Sequence, residues 1–106
     1  MTPKEIFETR FAEKVKNPDT VKKVNATYRF DLSGPSGGTW IVDFKEASAG
    51  VRQADEAGQC TITMTDADFV AMVDGKLNAQ MAFMSGKLKV KGDMGLAMKL
   101  SQVLTA

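Results

Sequence analysis

The sequence predicts an α+β domain with a five-stranded, mainly antiparallel sheet covered on one face by helices. Residues 26–32, 39–45 and 60–64 alternate apolar and polar side chains, the period of a half-buried strand. Thr2, Thr65, Asn78 and Asp93 each stand where a helix cap belongs, ahead of apolar residues at helical spacing. Strands and helices fall in blocks rather than in strict alternation, which favours α+β over a parallel α/β sheet. A chain of 106 residues has the length of one domain, expected to span 1–106.

The first helix starts at Thr2-Pro3-Lys4-Glu5: Thr2 caps, Pro3 fits the first helical position and Glu5 completes a capping box. Ile6, Phe7, Phe11 and Val15 follow at helical spacing, and Asn17-Pro18 ends the helix. Asp19 is positioned to cap a further turn carrying Val21 and Val24. The strand over 26–32 sets Ala26, Tyr28, Phe30 and Leu32 on one face. After a turn rich in glycine and proline at 33–38, the strand over 39–45 directs Trp40, Val42 and Phe44 inward and Asp43 and Lys45 outward. A weaker strand at 49–54 and a polar connection at 55–59 lead to the strand opening at Cys60, with Cys60, Ile62 and Met64 inward. Thr65 and Asp68 form the capping box of a helix through Phe69, Met72 and Val73 that stops at Gly75. Asn78 caps a short helix carrying Met81, Ala82 and Met84 and ending at Gly86. Residues 87–91 make a strand with Leu88 and Val90 inward and Lys87, Lys89 and Lys91 outward, a pattern that protects an edge. Asp93 caps the last helix, 94–104.

Composition narrows the function. A net charge of +1 gives no field for nucleic acid, and aromatic side chains are not interleaved with the lysines. The apolar runs are too short for a membrane span, and the charged N-terminus is unlike a secretory signal. The single cysteine, Cys60, excludes an internal disulfide and fits a reducing, intracellular compartment. The absence of histidine removes imidazole acid–base chemistry, serine–histidine triads and the usual histidine-containing zinc sites. Asp66, Asp68 and Asp74 match no calcium loop, and the 34–38 turn lacks the lysine and following helix of a phosphate-binding loop. The reading is a protein with no catalytic residue, metal or cofactor.

Six of the seven methionines, Met64, Met72, Met81, Met84, Met94 and Met98, fall between Cys60 and Leu100. Methionine has soft torsions and no branching, so it fills cores and also lines surfaces that accept varied apolar partners. Met94 and Met98 lie one turn apart on the last helix, while Leu96, Leu100 and Val103 form another stripe. A helix apolar over so wide an arc needs deep burial or a ligand beneath it.

The same residues resemble the sterol carrier protein type 2 domain family. The likeness is strongest in CTITM at 60–64, Asp68-Phe69, Gly75-Lys76, Ala82-Phe83, GKLK at 86–89 and GDMGLAMKL at 92–100. It continues upstream through VKKV at 21–24, Tyr28 to Phe30 and WIVD at 40–43, and so covers nearly the whole chain. The resemblance implies three antiparallel strands, a crossover to a fourth, and an apolar tunnel between sheet and helices that the C-terminal helix helps to close. It implies non-enzymatic binding and transfer of a long-chain lipid: fatty acid, acyl-CoA, phospholipid or sterol. Phe30, Trp40, Val42, Ile62, Met64, Leu88 and Val90 are then expected as floor, and Phe69, Met72, Met81, Met84, Met94 and Met98 as roof. The expected partners are that lipid, a membrane in transient contact, and a larger enzyme or a second copy; the alternative role is a substrate-presenting module of such an enzyme. Relatives in peroxisomes commonly end in a Ser-Lys-Leu-like tripeptide, whereas this chain ends Leu104-Thr105-Ala106, so a peroxisomal location does not carry over.

Overall fold

The computed structural model describes residues 2–105, with side chains through Leu100. Five strands, β1 (Thr27–Ser33), β2 (Gly38–Asp43), β3 (Gly50–Gln53), β4 (Cys60–Thr65) and β5 (Lys89–Gly92), lie in the order β3-β2-β1-β4-β5. The β1–β2, β2–β3 and β4–β5 pairings are antiparallel, and β1–β4 is parallel. The sheet is therefore mixed, with a three-strand meander followed by a crossover to β4. Phe30 stands opposite both Trp40 and Ile62, and Ile62 opposite Val90. In-register alternation thus collects the apolar residues of four strands on one face, and the helices cover that face. The other face is polar apart from buried Ile41: Arg29 pairs with Asp31 at 3.1 Å and with Asp55 at 2.7 Å, and Lys89 and Lys91 stand beside Thr63 and Thr61.

The N-terminal helix runs through α1 (Pro3–Ile6), a π-helical turn at Phe7–Phe11, and α2 (Ala12–Lys16). The Thr2 hydroxyl accepts the Glu5 N–H, as the cap requires, at 3.3 Å. The wide turn was not predicted; there the Thr9 hydroxyl donates to the Glu5 carbonyl at 2.6 Å, a back-bond that bends helices. The next helix, α3 (Pro18–Val24), is capped by Asn17, not Asp19. Pro18 holds Asn17 extended (φ −82, ψ 113), so its carboxamide oxygen accepts the N–H groups of Asp19 and Thr20. Over the second half of the sheet come α4 (Asp66–Val73), α5 (Ala79–Met84) and α6 (Met94–Thr105). Among the described residues no helix is long and apolar enough to cross a membrane.

An aromatic stack fills the gap beneath the N-terminal helix. Phe7 lies between Trp40 (centroids 4.8 Å apart) and Phe69 (5.0 Å), with the Phe30 ring edge-on at 5.3 Å. Phe11 stacks on Phe7 at 5.3 Å, and all four phenylalanines are fully buried. Truncating a ring in such a core typically costs about 3–5 kcal/mol.

Asp43 lies on the outward sheet face as expected, opposite Thr27, yet it is only 3% exposed. The turn after β2 folds back over its carboxylate, which accepts the Lys45 N–H at 2.9 Å and the Ser48 hydroxyl at 2.7 Å. Thr27 and Arg52 complete the set at 3.2 and 3.4 Å. Burial alone works to raise the carboxyl pKa, but these hydrogen bonds outweigh it and hold the group below the ordinary carboxylate value. A pKa lowered by folding stabilises the native state above the unfolded value near ~3.9, and the gain disappears as pH falls through the native value. Asp43→Asn is therefore expected to lose about 1–3 kcal/mol at neutral pH. In urea titrations the gap to the wild type should narrow below about pH 4. A gap that stays constant into acid would contradict the account.

Candidate functional site

Beyond the aromatic stack, the apolar sheet face carries smaller side chains and a thinner cover. Each element of that cover has its own local cause. At the start of α4 the Thr65 hydroxyl accepts the Asp68 N–H at 3.1 Å, and Asp66 accepts the Ser36 N–H at 2.9 Å, tying the 34–38 loop to the helix. That loop amide thus serves a carboxylate of the same chain. At the end of α4 the Arg10 guanidinium donates to the Val73 carbonyl at 3.1 Å, a cation where the helix dipole favours one. Gly75 (φ +78) and Gly86 (φ +82), both in the left-handed region, bound the α5 segment. Between them the Asn78 side chain accepts the N–H groups of Gln80 and Met81 at 2.8 and 3.2 Å.

The last helix is fixed at its first turn. Asp93 Oδ1 accepts the Gly95 N–H at 2.8 Å, and the Tyr28 hydroxyl donates to the Leu96 carbonyl at 2.6 Å. Burial raises the Tyr28 pKa, with Cys60 and Asp93 adding to it, so the phenol stays a donor. Buried Cys60 is likewise raised, first by burial and then by Asp93, so it is a protonated core thiol rather than a nucleophile.

Between these elements lies a cavity of about 420 Å³, within the range of small-molecule pockets. Ile62 of β4 and Leu88 and Val90 at β5 form its floor. Met72 of α4, Ala79, Gln80 and Phe83 of α5, and Met94, Ala97, Met98 and Leu100 of α6 form the rest. Among the described residues of the lining only Gln80 is polar. The described lining residues include no acid, base or nucleophile, so what they offer is apolar surface. A larger hollow of about 580 Å³ lies between the N-terminal helix and β3, but Lys4, Glu8, Lys16 and Arg52 charge its walls. It suits an apolar ligand less.

The expected lining residues divide four ways. Ile62, Met72, Leu88, Val90, Met94 and Met98 meet around the 420 Å³ cavity. Phe30, Val42, Met64 and Phe69 are buried in the core, with Phe30 and Phe69 in the aromatic stack. Trp40 stacks on Phe7 and borders the charged hollow. Met81 and Met84, at 68% and 78% exposed, point away into solvent. Phe83, Ala79, Gln80, Ala97 and Leu100 line the cavity without having been singled out. The apolar arc of the last helix is the signal that marks Leu100; its other member, Val103, has its side chain outside the described set. Among the described residues no group of three His, Cys, Asp or Glu could hold a metal ion.

The model of the SCP-2 sterol transfer family matches residues 4–105. The chain belongs to this family. It is 48% identical over 88 residues to human hydroxysteroid dehydrogenase-like protein 2, a match covering 81% of this chain and 21% of that protein. It is 46% identical over 87 residues to human sterol carrier protein 2, covering 78% of this chain and 16% of the relative. The chain thus spans about a fifth of the curated relatives it matches. Among solved structures, palmitated SCP2L2 from Aedes aegypti superposes with a TM-score of 0.80 at 29% identity, covering 100% of this chain and 96% of that one. The mixed five-stranded sheet and its helical cover are therefore those of the SCP-2 family.

In this family member the Tyr28–Leu96 bond couples the sheet to the helix that walls the cavity. Tyr28→Phe is expected to cost about 1 kcal/mol and to speed amide exchange at 97–100 roughly fivefold, with β4 little changed. Hydrogen-exchange mass spectrometry checks this; unchanged exchange in α6 would show that the bond does not anchor it.

Proposed function

We propose that this domain binds and transfers a long-chain lipid, without catalysis, in the cavity between β4–β5 and helices α4–α6. The carrying observation is that cavity: about 420 Å³, its described walls aliphatic, thioether and aromatic groups with one amide. Burying an acyl chain gains about 0.8 kcal/mol per methylene, so a long chain binds without a dedicated head-group contact. Described lining residues without charge leave the ligand's polar end at the mouth, which favours fatty acids, acyl-CoA esters and other lipids with one long chain inside. Membership of the SCP-2 family and the palmitated Aedes aegypti structure support the reading. The lone cysteine, reduced and buried, supports an intracellular setting.

A second reading concerns the role rather than the ligand. The match to only 21% of hydroxysteroid dehydrogenase-like protein 2 supports a module that presents bound lipid to a neighbouring catalytic domain. A carrier moves its lipid between donor and acceptor vesicles; a presenting module binds the same lipid and leaves it in place.

A fluorescent fatty acid should bind the folded protein saturably and be displaced by palmitate; failure of every such probe would remove the proposal. Met98 lines the cavity and is 67% exposed, so Met98→Gln should alter binding far more than folding. Affinity is expected to fall roughly tenfold, about 1.4 kcal/mol, with stability changed by less than about 0.5 kcal/mol. Unchanged affinity with a large stability loss would make Met98 an ordinary core residue.

A further inference from the structure

The sheet ends in two edge strands, and they are finished differently. On β5 the exposed side chains of Lys89 and Lys91 guard against pairing with a further strand. Strand β3, GVRQ, carries no lysine, and the hollow of about 580 Å³ opens along it. Residues 49–53 all line that hollow, whichever face their side chains take, so it meets the strand along its edge. Register shows what this edge offers. The Phe44 N–H donates to the Ala26 carbonyl at 2.9 Å, which makes 26 and 44 a hydrogen-bonded pair of the β1–β2 ladder. Counting by twos, Trp40 and Val42 turn their backbone polar groups to β1, and Ile41 and Asp43 turn theirs to β3. Ile41 and Asp43 stand opposite Arg52 and Gly50, whose backbone groups are thereby satisfied. The N–H and C=O groups of Val51 and Gln53 point the other way, into the hollow, and no described segment bonds to them.

The facing wall is one stripe of the N-terminal helix: Lys4, Glu8, Ala12, Val15 and Lys16, at helical spacing. Ala12 and Val15 give the stripe an apolar part. Lys4 and Lys16 stand at its two ends, about 18 Å apart along the helix. Both are exposed, and neither forms a salt bridge among the described residues. Arg52 adds a third cation, shared between Glu56 at 2.7 Å and Asp43 at 3.4 Å. Among the described lining residues Glu8 is the one carboxylate.

We propose that this groove binds an extended acidic peptide segment of a partner protein, which pairs with β3 as a sixth strand. Backbone donors and acceptors spaced at strand pitch are matched by another strand, the mode of β-augmentation. A segment of about five residues spans the distance between the two lysines. It carries an acid at each end, for Lys4 and Lys16, and an apolar side chain between them for Ala12 and Val15. A second copy of the chain fits less well, because its own β3 brings Arg52 and no acid. The groove lies at the opposite end of the sheet from the apolar cavity, so the proposal stands apart from the lipid-carrier reading.

Fluorescence anisotropy with the labelled peptide ETVTE tests the proposal, with KTVTK as the charge-reversed control. ETVTE should bind saturably and weaken with salt, and KTVTK should bind roughly tenfold less tightly. Lys4→Gln/Lys16→Gln should lose about fivefold in affinity for ETVTE, and Glu8→Gln should gain about twofold. Gln53→Pro deletes an N–H that faces the groove and no bond to β2, so it should lose about tenfold and keep the wild-type thermal melt. Bound ETVTE should slow amide exchange at Val51 and Gln53 and leave Arg52, already paired with β2, unchanged. Absent saturable binding, equal binding of the two peptides, or charge variants that behave as the wild type would each overturn the proposal. So would protection that misses Val51 and Gln53, or a dimer by light scattering that Gln53→Pro dissolves. Should Gln53→Pro fail to fold, the charge variants and the wild-type exchange pattern decide by themselves.

Discussion

The stacking of Phe7 between Trp40 and Phe69 is the constraint on which the rest of the structure depends. It seats the N-terminal helix on β1 and β2 and closes that half of the gap between sheet and helices with ring against ring. The other half, over β4 and β5, receives no comparable ring cluster. Its floor is Ile62, Leu88 and Val90, and its cover consists of short, separately capped helices. One dense half supplies the cohesion a small domain needs, and the other can then hold space for a guest. Stability and capacity are thus assigned to different regions of one apolar face.

How the two regions communicate follows from a few polar bonds. Arg10 reaches from the N-terminal helix to the end of α4, and Tyr28 reaches from the central strand to the first turn of α6. Both helices that flank the cavity are therefore referenced to the rigid half. Among the described residues the α5 segment has no such side-chain tether to a distant element: its cap is local, and only Ala82 is fully buried. The segment over the mouth is accordingly the least anchored part of the cover, the place where opening costs least.

The fold was largely legible in the sequence because its signals are local. Alternation at 26–32 and 60–64, and side-chain caps at Thr2, Thr65, Asn78 and Asp93, report backbone geometry within a few residues. The outward face of Asp43 was legible but its burial was not, because a turn returns to cover it, which a two-residue period cannot express. The π-helical turn at Phe7–Phe11 escaped for a similar reason: it shifts hydrogen bonds without disturbing the apolar spacing. At the cavity, the choice between packing and lining was not readable. Phe30 and Ile62 alternate on the same sheet face, yet one meets Phe7 and the other meets the cavity. In six-residue α5 the helical period has too little length to define a face, so exposed Met81 and Met84 carry the same pattern as a lining pair.

The central claim is that the space under α5 and α6 is a lipid site and not a packing defect. Native mass spectrometry of the freshly purified protein tests it most directly. The account predicts a population heavier than the 106-residue chain by the mass of one long-chain lipid, lost on solvent extraction and regained on mixing with fatty acid. A protein that flies only at its bare mass, before and after incubation with fatty acids, would contradict it.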